Sequence, residues 1–254
     1  MKHALITGAT SGIGECLVHE LAKNNYHLIL TGRNKEKLKD LQKDIQESYN
    51  VNVKILQLDL REKEALHTLV DTLEDLEGSL NLFVNNAGIG HYGPFLKQGI
   101  QEDLDTIAVN ITAFTYLTKA VYPYLVKDAK VLQVASTAAF APGPYMAVYY
   151  ASKAYVLSLS LALRKEWKRD GINVSVLCPG PTKTSFQSRA HMEKAGLANK
   201  LAMSPEDVAR ISYKGIMKNK ALIIPGISNK IAARVMEVIP HTLGAILVNS
   251  TQKK

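Results

Sequence analysis

The sequence predicts an α/β fold. Its strands form a doubly wound parallel sheet of seven, covered on both faces by helices as a three-layer αβα sandwich. Three observations carry this. Short apolar runs alternate with amphipathic stretches of helical period along the whole chain. The apolar runs are continuous rather than alternating in polarity, as expected of strands buried on both faces. The first of them ends in a glycine-rich turn that opens a helix. A chain of 254 residues suits one large domain and suffices for a real core. No linker, repeat or low-complexity segment divides it, so residues 1–254 are read as a single domain.

The elements follow in order. HALIT (3–7) is a strand, TGATSGIG (7–14) a turn, and a helix is expected over 13–23. YHLILTG (26–32) is the second strand, before a charged helix over 35–47. VKILQLDL (53–60) is the third strand and REKEALHTLVDTLEDL the third helix; LNLFVNNAG (80–88) is the fourth strand. Helical pattern resumes over 101–127 with a break near Asn110. KVLQVAS (130–136) follows as a strand, then a helix opening near Tyr149 and running to about 169. INVSVLCPG (172–180) and ALIIPG (221–226) are the last strands. Between them a helix starts with Ser204 as N-cap and Pro205 at its first position. The longest stretch without pattern, about 182–203, lies on the carboxyl side of the sheet, where a substrate lid belongs. The extension over about 227–254 is amphipathic, with Ile231, Val235, Val238 and Ile239 at helical spacing. Packing on the domain or on a partner subunit is the expectation, ahead of peripheral membrane contact.

Composition narrows the function classes. Hydrophobic residues make up 46% and charged residues 21%, an ordinary globular balance. The net charge of +8 is scattered, with no basic block interleaved with aromatics, so nucleic-acid binding is not expected. Two cysteines far apart, Cys16 and Cys178, suggest a reducing compartment, and the cytoplasm is the expected location. The opening MKHALITGAT lacks the long apolar run of a signal peptide, and no stretch reaches the length of a membrane span. No metal site is read.

The turn TGATSGIG places Gly8, Thr10, Ser11, Gly12, Ile13 and Gly14 between the first strand and its helix. Glycines let backbone approach a pyrophosphate closely, and the helix N-terminus offers N–H groups and positive potential to phosphates. Together with the strand before it, this is the opening of a Rossmann-type dinucleotide-binding unit, although the spacing is G-x-x-x-G-x-G rather than G-x-G-x-x-G. An acidic residue at the end of the second strand would favour NAD. Here the chain reads Thr31, Gly32, Arg33, and an arginine pairs with a 2′-phosphate, so NADP(H) is preferred over NAD(H). Asp59 and Leu60 after the third strand, and Asn86, Ala87 and Gly88 after the fourth, are expected around the adenosine.

In STAAFAPGPYMAVYYASK (136–153), Lys153 lies one helical turn after Tyr149, on the same face. A neighbouring ammonium favours the phenolate and lowers a tyrosine pKa, which suits the phenol to acid–base work. Ser136, thirteen residues before Tyr149, can hold the same substrate oxygen. Tyr150 is the competing phenol, but no lysine stands four residues after it. Taken alone, Tyr-x-x-x-Lys is common by chance.

TGATSGIG, NNAG, Ser136 and YYASK stand in one order over nearly the whole chain. The sequence resembles the short-chain dehydrogenase/reductase family in its ordinary branch of about 250 residues. It is similar to its broad bacterial "various specificity" oxidoreductases and to ketoacyl and hydroxysteroid reductases. The resemblance implies that Asn110, Ser136, Tyr149 and Lys153 are the catalytic set. Ser136 would position a carbonyl and Tyr149 donate the proton as hydride arrives. Lys153 would lower the Tyr149 pKa and bind the nicotinamide ribose, and Asn110 would hold a water. It also implies that Pro179, Gly180, Thr182 and Thr184 contact the nicotinamide end. Tyr149 and Lys153 thereby belong to the cofactor site too. Helices from about Thr112 and from Tyr149 would pair between subunits, giving a homodimer or homotetramer. Length and glycine spacing disfavour the extended epimerase branch, and the spacing of Tyr149 and Lys153 disfavours enoyl reductases.

For the substrate, the stretches 89–95 and 138–146 and the lid over 182–203 are expected as pocket wall; they hold Phe95, Phe140, Pro142, Pro144, Tyr145, Met146 and Phe186, with His91, Arg189 and His191 as polar exceptions. A hydrophobic ketone or aldehyde suits them. The other reading is a non-catalytic NADP(H)-binding sensor or scaffold. Retention of both Tyr149 and Lys153 counts against it.

Overall fold

A computed structural model describes residues 1–74, 76, 79–186 and 202–252. Its strands are β1 (Lys2–Thr7), β2 (Tyr26–Gly32), β3 (Val53–Gln57), β4 (Leu80–Asn85), β5 (Leu125–Val134), β6 (Asn173–Leu177) and β7 (Leu222–Ile223). They form one seven-stranded sheet in the order β3-β2-β1-β4-β5-β6-β7, parallel throughout. The order reverses between β1 and β4. That switch point leaves a crevice at the carboxyl ends of the strands, where the Gly8 turn, Asn86 and Ser136 emerge.

The helices are α1 (Gly12–Lys23), α2 (Lys35–Ser48), α3 (Lys63–Glu74), α4 (Ile100–Ile107), α5 (Phe114–Val121), α6 (Ala147–Glu166), α7 (Pro205–Met217), α8 (Ile227–Val238) and α9 (His241–Gln252). One face of the sheet packs Ile6, Leu28, Leu30, Leu82 and Leu132 against Leu17 and Leu21 of α1, Leu38 and Ile45 of α2, and Val208 and Ile216 of α7. The other packs Leu5, Phe83 and Val131 against Leu66, Leu69 and Leu73 of α3 and Leu117 and Val121 of α5. A third cluster seats Phe114, Phe140, Val156 and Cys178 together. Caps set the helix ends: Asn34 accepts from Lys37 N at 2.8 Å, and Ser204, as the sequence predicts, accepts from Asp207 N at 3.1 Å with Pro205 next.

Several boundaries differ from the expectation. The helical stretch over 101–127 is α4, a π-helical segment Ala108–Ala113, and α5. It ends at Val121, because Pro123 in the turn Tyr122–Tyr124 has no N–H to continue it. β5 then starts at Leu125, earlier than expected, and absorbs a register shift against β4, with Asp128 at φ 65°. β3 stops at Gln57 and β4 at Asn85, so Asp59, Leu60 and residues 86–88 lie on turns, where side chains and backbone can face a ligand. The C-terminal extension is two helices, and Ile231, Val235 and Val238 face outward, the last 84% exposed. Only Ala233 of α8 is buried, so among the described residues the apolar stripe is left largely uncovered. No helix among the described residues is long and apolar enough to cross a membrane.

Candidate active site

The glycine turn is built from backbone demands. Gly8 and Gly12 have φ of 66° and 58°, a region that favours glycine. A Cβ on Gly14 would lie 2.6 Å from Asn86 Nδ2 and would also strike the Gly8 carbonyl. That close approach lets α1 pack against the turn. Asn86 locks it: its side-chain amide donates to Thr7 O at 2.9 Å and to Gly8 O at 3.1 Å. Thr7 Oγ1 in turn accepts from the N–H groups of Asn86 and Ala87. Asn86 is thus a clamp on the glycine turn, besides lying in the stretch 86–88 that the sequence assigns to the adenosine.

Arg33 stands exposed at the end of β2, beside this turn. Thr31, buried behind it, has no hydrogen-bond partner for Oγ1 among the described residues. Asp59 is held by Arg61, whose Nε lies 3.0 Å from Oδ1 and whose Nη2 lies 2.6 Å from Oδ2. Arg61 also pairs with Asp105 of α4. The Arg61 guanidinium keeps the Asp59 carboxyl below the usual carboxylate range.

At the other end, Ser136 caps a short turn, Thr137–Phe140, with its hydroxyl accepting from Ala138 N at 3.1 Å. Tyr149 and Lys153 lie on the first turns of α6, and the Lys153 ammonium sits 5.8 Å from the Tyr149 ring centre. Burial pushes the Tyr149 phenol up to about 12, against a smaller lowering by a hydrogen bond with Ser136. Burial brings Lys153 down to about 8; its Nζ donates to Val134 O at 3.0 Å. The expected lowering of the tyrosine by the lysine does not appear: burial dominates the Tyr149 phenol, and the lowering that opposes it comes from Ser136. Asn110 lies in the π-helical segment. Its Oδ1 accepts from Ile89 N at 2.9 Å, and its Nδ2 donates to Ile89 O at 2.8 Å and to Ser152 Oγ at 3.0 Å.

A single cleft joins the two ends. It is lined by Gly8, Thr10, Ser11, Gly12, Ile13, Arg33, Asp59, Leu60, Asn86, Ala87, Gly88, Ser136, Tyr149, Lys153, Pro179, Gly180, Thr182 and Thr184. Of the residues expected at the site, Gly14 and Asn110 stand behind the wall rather than on it. Residues 2–195 match the family of the short chain dehydrogenases. The chain belongs to that family. Among its relatives, this short-chain dehydrogenase is 33% identical over 213 residues to the NADP-dependent 3-hydroxy acid dehydrogenase YdfG of Salmonella typhi, covering 80% of this chain and 84% of that one. Among solved structures it superposes on a short-chain dehydrogenase from Sphingobium yanoikuyae in complex with NADPH, with a TM-score of 0.83 at 29% identity, over 94% and 97% of the two chains. It also superposes on the bulky-bulky ketone specific alcohol dehydrogenase from Comamonas testosteroni, at 0.78 and 26% identity, over 94% and 95%.

Around Tyr149 the cleft of this short-chain dehydrogenase departs from the wall expected for the substrate. Met146 and Phe186 line the cleft, joined by Ile89, Val109, Ala138 and Tyr150. Phe95, Phe140, Pro142, Pro144 and Tyr145 do not. Phe140 is buried in the third core cluster, and Phe95 is 60% exposed on the surface. His91 is also off the cleft wall, with Nδ1 3.8 Å from the Glu102 carboxylate. Arg189 and His191 lie outside the described residues, as does most of the expected lid. The described ends of that segment are joined, by a bridge between Thr182 and Met203. Ile89 and Ala138 fall within the expected stretches 89–95 and 138–146, whereas Val109, on the π-helical segment, and Tyr150, on α6, lie outside them, because helical spacing does not say which face meets a cleft.

Proposed function

We propose that this oxidoreductase is one NAD(P)-binding domain that interconverts a hydrophobic ketone or aldehyde and its alcohol, using NADP(H) in preference to NAD(H). The observation that carries the reading is the continuity of the cleft from Arg33, past the glycine turn, to Ser136, Tyr149 and Lys153. The cofactor end fits a dinucleotide. Gly8, Gly12 and Gly14 leave the turn bare where a pyrophosphate would press against α1, the buried Thr31 hydroxyl has no partner among the described residues, and Arg33 offers a cation for a 2′-phosphate. YdfG is NADP-dependent by name, the Sphingobium relative holds NADPH and the Comamonas relative acts on ketones; each favours this choice.

When bound, a reduced nicotinamide supplies the hydride that reaches the carbonyl carbon. Ser136 Oγ holds the carbonyl oxygen. Tyr149, kept as a neutral phenol by its burial, gives its proton to that oxygen as negative charge develops there. The phenolate left behind lies beside the Lys153 ammonium. Pro179, Gly180, Thr182 and Thr184 wall the nicotinamide side. Asn110 acts from behind, fixing Ile89 and Ser152. The apolar wall of Ile89, Ala138, Met146 and Phe186 selects a substrate with apolar groups flanking the carbonyl.

An NADPH-oxidation screen over ketones, aldehydes, ketoacyl thioesters and steroids tests the reading, with NADH in parallel. Turnover with bulky apolar carbonyls, at higher kcat/KM with NADPH, is expected. Silence across the panel while NADPH binds would support the sensor reading instead. The uncovered stripe of α8 favours a homodimer or homotetramer; a monomer by light scattering at micromolar concentration would argue against it.

A further inference from the structure

We propose that Gly90 is a positioning residue for the Tyr149 phenol: the missing side chain at position 90 is the seat on which the ring lies. The inference rests on the reading of Tyr149 as proton donor. The glycines with positive φ among the described residues are Gly8, Gly12, Gly171 and Gly226. Gly90 is not one of them, so backbone conformation does not require glycine there. Space does. A Cβ at position 90 would lie 2.6 Å from Cδ2 and 3.0 Å from Cγ of Tyr149, and 3.2 Å from Cζ of Phe186. Carbon atoms in contact prefer about 3.5–4.0 Å. The Phe186 ring centre is 5.3 Å from that of Tyr149, so the phenol occupies a slot with Gly90 as one wall and Phe186 beside it.

The backbone that carries the seat and the backbone that carries the ring are both held. Asn110 grips both the N–H and the C=O of Ile89, the residue before Gly90. The same amide donates to Ser152 Oγ, and that hydroxyl donates to Tyr149 O at 2.7 Å. One side chain therefore sets the spacing between the seat and the turn of α6 that carries the ring. Farther along the loop, Gly93 N donates to Tyr145 O at 2.9 Å, and Gln98 Nε2 donates to Gly93 O at 2.8 Å. With both backbones pinned, a methyl group at position 90 is accommodated by the ring, which shifts from the place where it meets Ser136.

Gly93 supplies the control, since a Cβ there meets nothing closer than Gln98 Cγ at 3.4 Å. Gly90→Ala is expected to lower kcat about 100-fold, the scale of an ångström misplacement of a reacting group. It should leave the NADPH Kd and the circular dichroism spectrum unchanged. Gly93→Ala is expected to match the wild type. A readout independent of turnover is the ring resonance of Tyr149 in protein carrying carbon-13 tyrosine, assigned by its loss in Tyr149→Phe; Gly90→Ala should shift it and Gly93→Ala should not. An unmoved resonance, an unchanged kcat, or failure of Gly90→Ala alone to fold or to bind NADPH would each overturn the proposal. A shifted resonance in a protein whose wild type turns over no carbonyl would leave the seat intact and sink the reductase reading instead.

Discussion

Lys153 is a charge that the fold keeps at a cost to stability. Lys153 is 4% exposed, and burial lowers its pKa from 10.5 to about 8. At ~1.4 kcal/mol per pH unit this gap is about 3 kcal/mol of penalty on the charged form. Its hydrogen bond to Val134 O returns part of that, and a carbonyl left without its donor costs about 1 kcal/mol. Lys153→Met keeps the stem and removes the charge. In protein without added nucleotide, the variant is expected to be more stable than wild type at pH 7 by about 2 kcal/mol. For a chain of this size that is a Tm rise of about 4–8 °C, accompanied by loss of turnover.

The pH dependence separates this cause from others. The folded pKa of Lys153 lies below its unfolded value. Below about pH 8 both states are protonated and the penalty is full. Between about 8 and 10.5 the unfolded chain holds a proton that the folded one has released, so wild-type stability rises with pH. The variant lacks this term. Urea unfolding of both proteins from pH 6.5 upward should therefore show the gap closing across that window and reversing at its upper end by about 1 kcal/mol, the lost hydrogen bond. A variant less stable at pH 7, or a gap that does not change with pH, would refute the reasoning.

Other expectations are simpler. Arg33→Ala should lower kcat/KM with NADPH about 10–100-fold, the worth of a charge-assisted hydrogen bond, with little change for NADH; equal losses with both cofactors would remove the 2′-phosphate role. Gly14→Ala places a Cβ 2.6 Å from Asn86 Nδ2. It should cost about 1–3 kcal/mol by overpacking and weaken NADPH binding by disturbing the clamp, both readable in melts with and without nucleotide. Tyr149→Phe should abolish turnover with the NADPH Kd unchanged, whereas Tyr150→Phe should retain it; an inactive Tyr150→Phe would transfer the proton to the neighbouring phenol.

The fold was legible wherever burial on both faces writes a continuous apolar run, and every strand was found on that basis. It failed where one pattern imitates another. Residues 122–127 continue the spacing of the helix before them, yet Pro123 ends that helix and Leu125 enters the sheet. The break near Asn110 was visible as a polar residue in an apolar stretch. Its kind was not, because a π-helical segment is an extra residue in the ladder that leaves no compositional mark. The outward face of α8 was also hidden, since amphipathic spacing says which residues share a face and not what covers it.

The two ends of the cleft differ in legibility for a physical reason. Phosphates are met by backbone, and backbone that must turn sharply or pack closely needs glycine at fixed positions, so Gly8, Gly12 and Gly14 announce themselves. Proton transfer needs particular functional groups, so Tyr149 and Lys153 do as well. A substrate wall needs only apolar volume, which many residues supply, and loops decide which of them face inward. Phe140 turns into the core while Ala138, two residues earlier, lines the cleft. Gly90 belongs between these cases. It is a glycine with ordinary backbone, invisible to any turn rule, and only the ring of Tyr149 lying against it shows why a side chain is absent there.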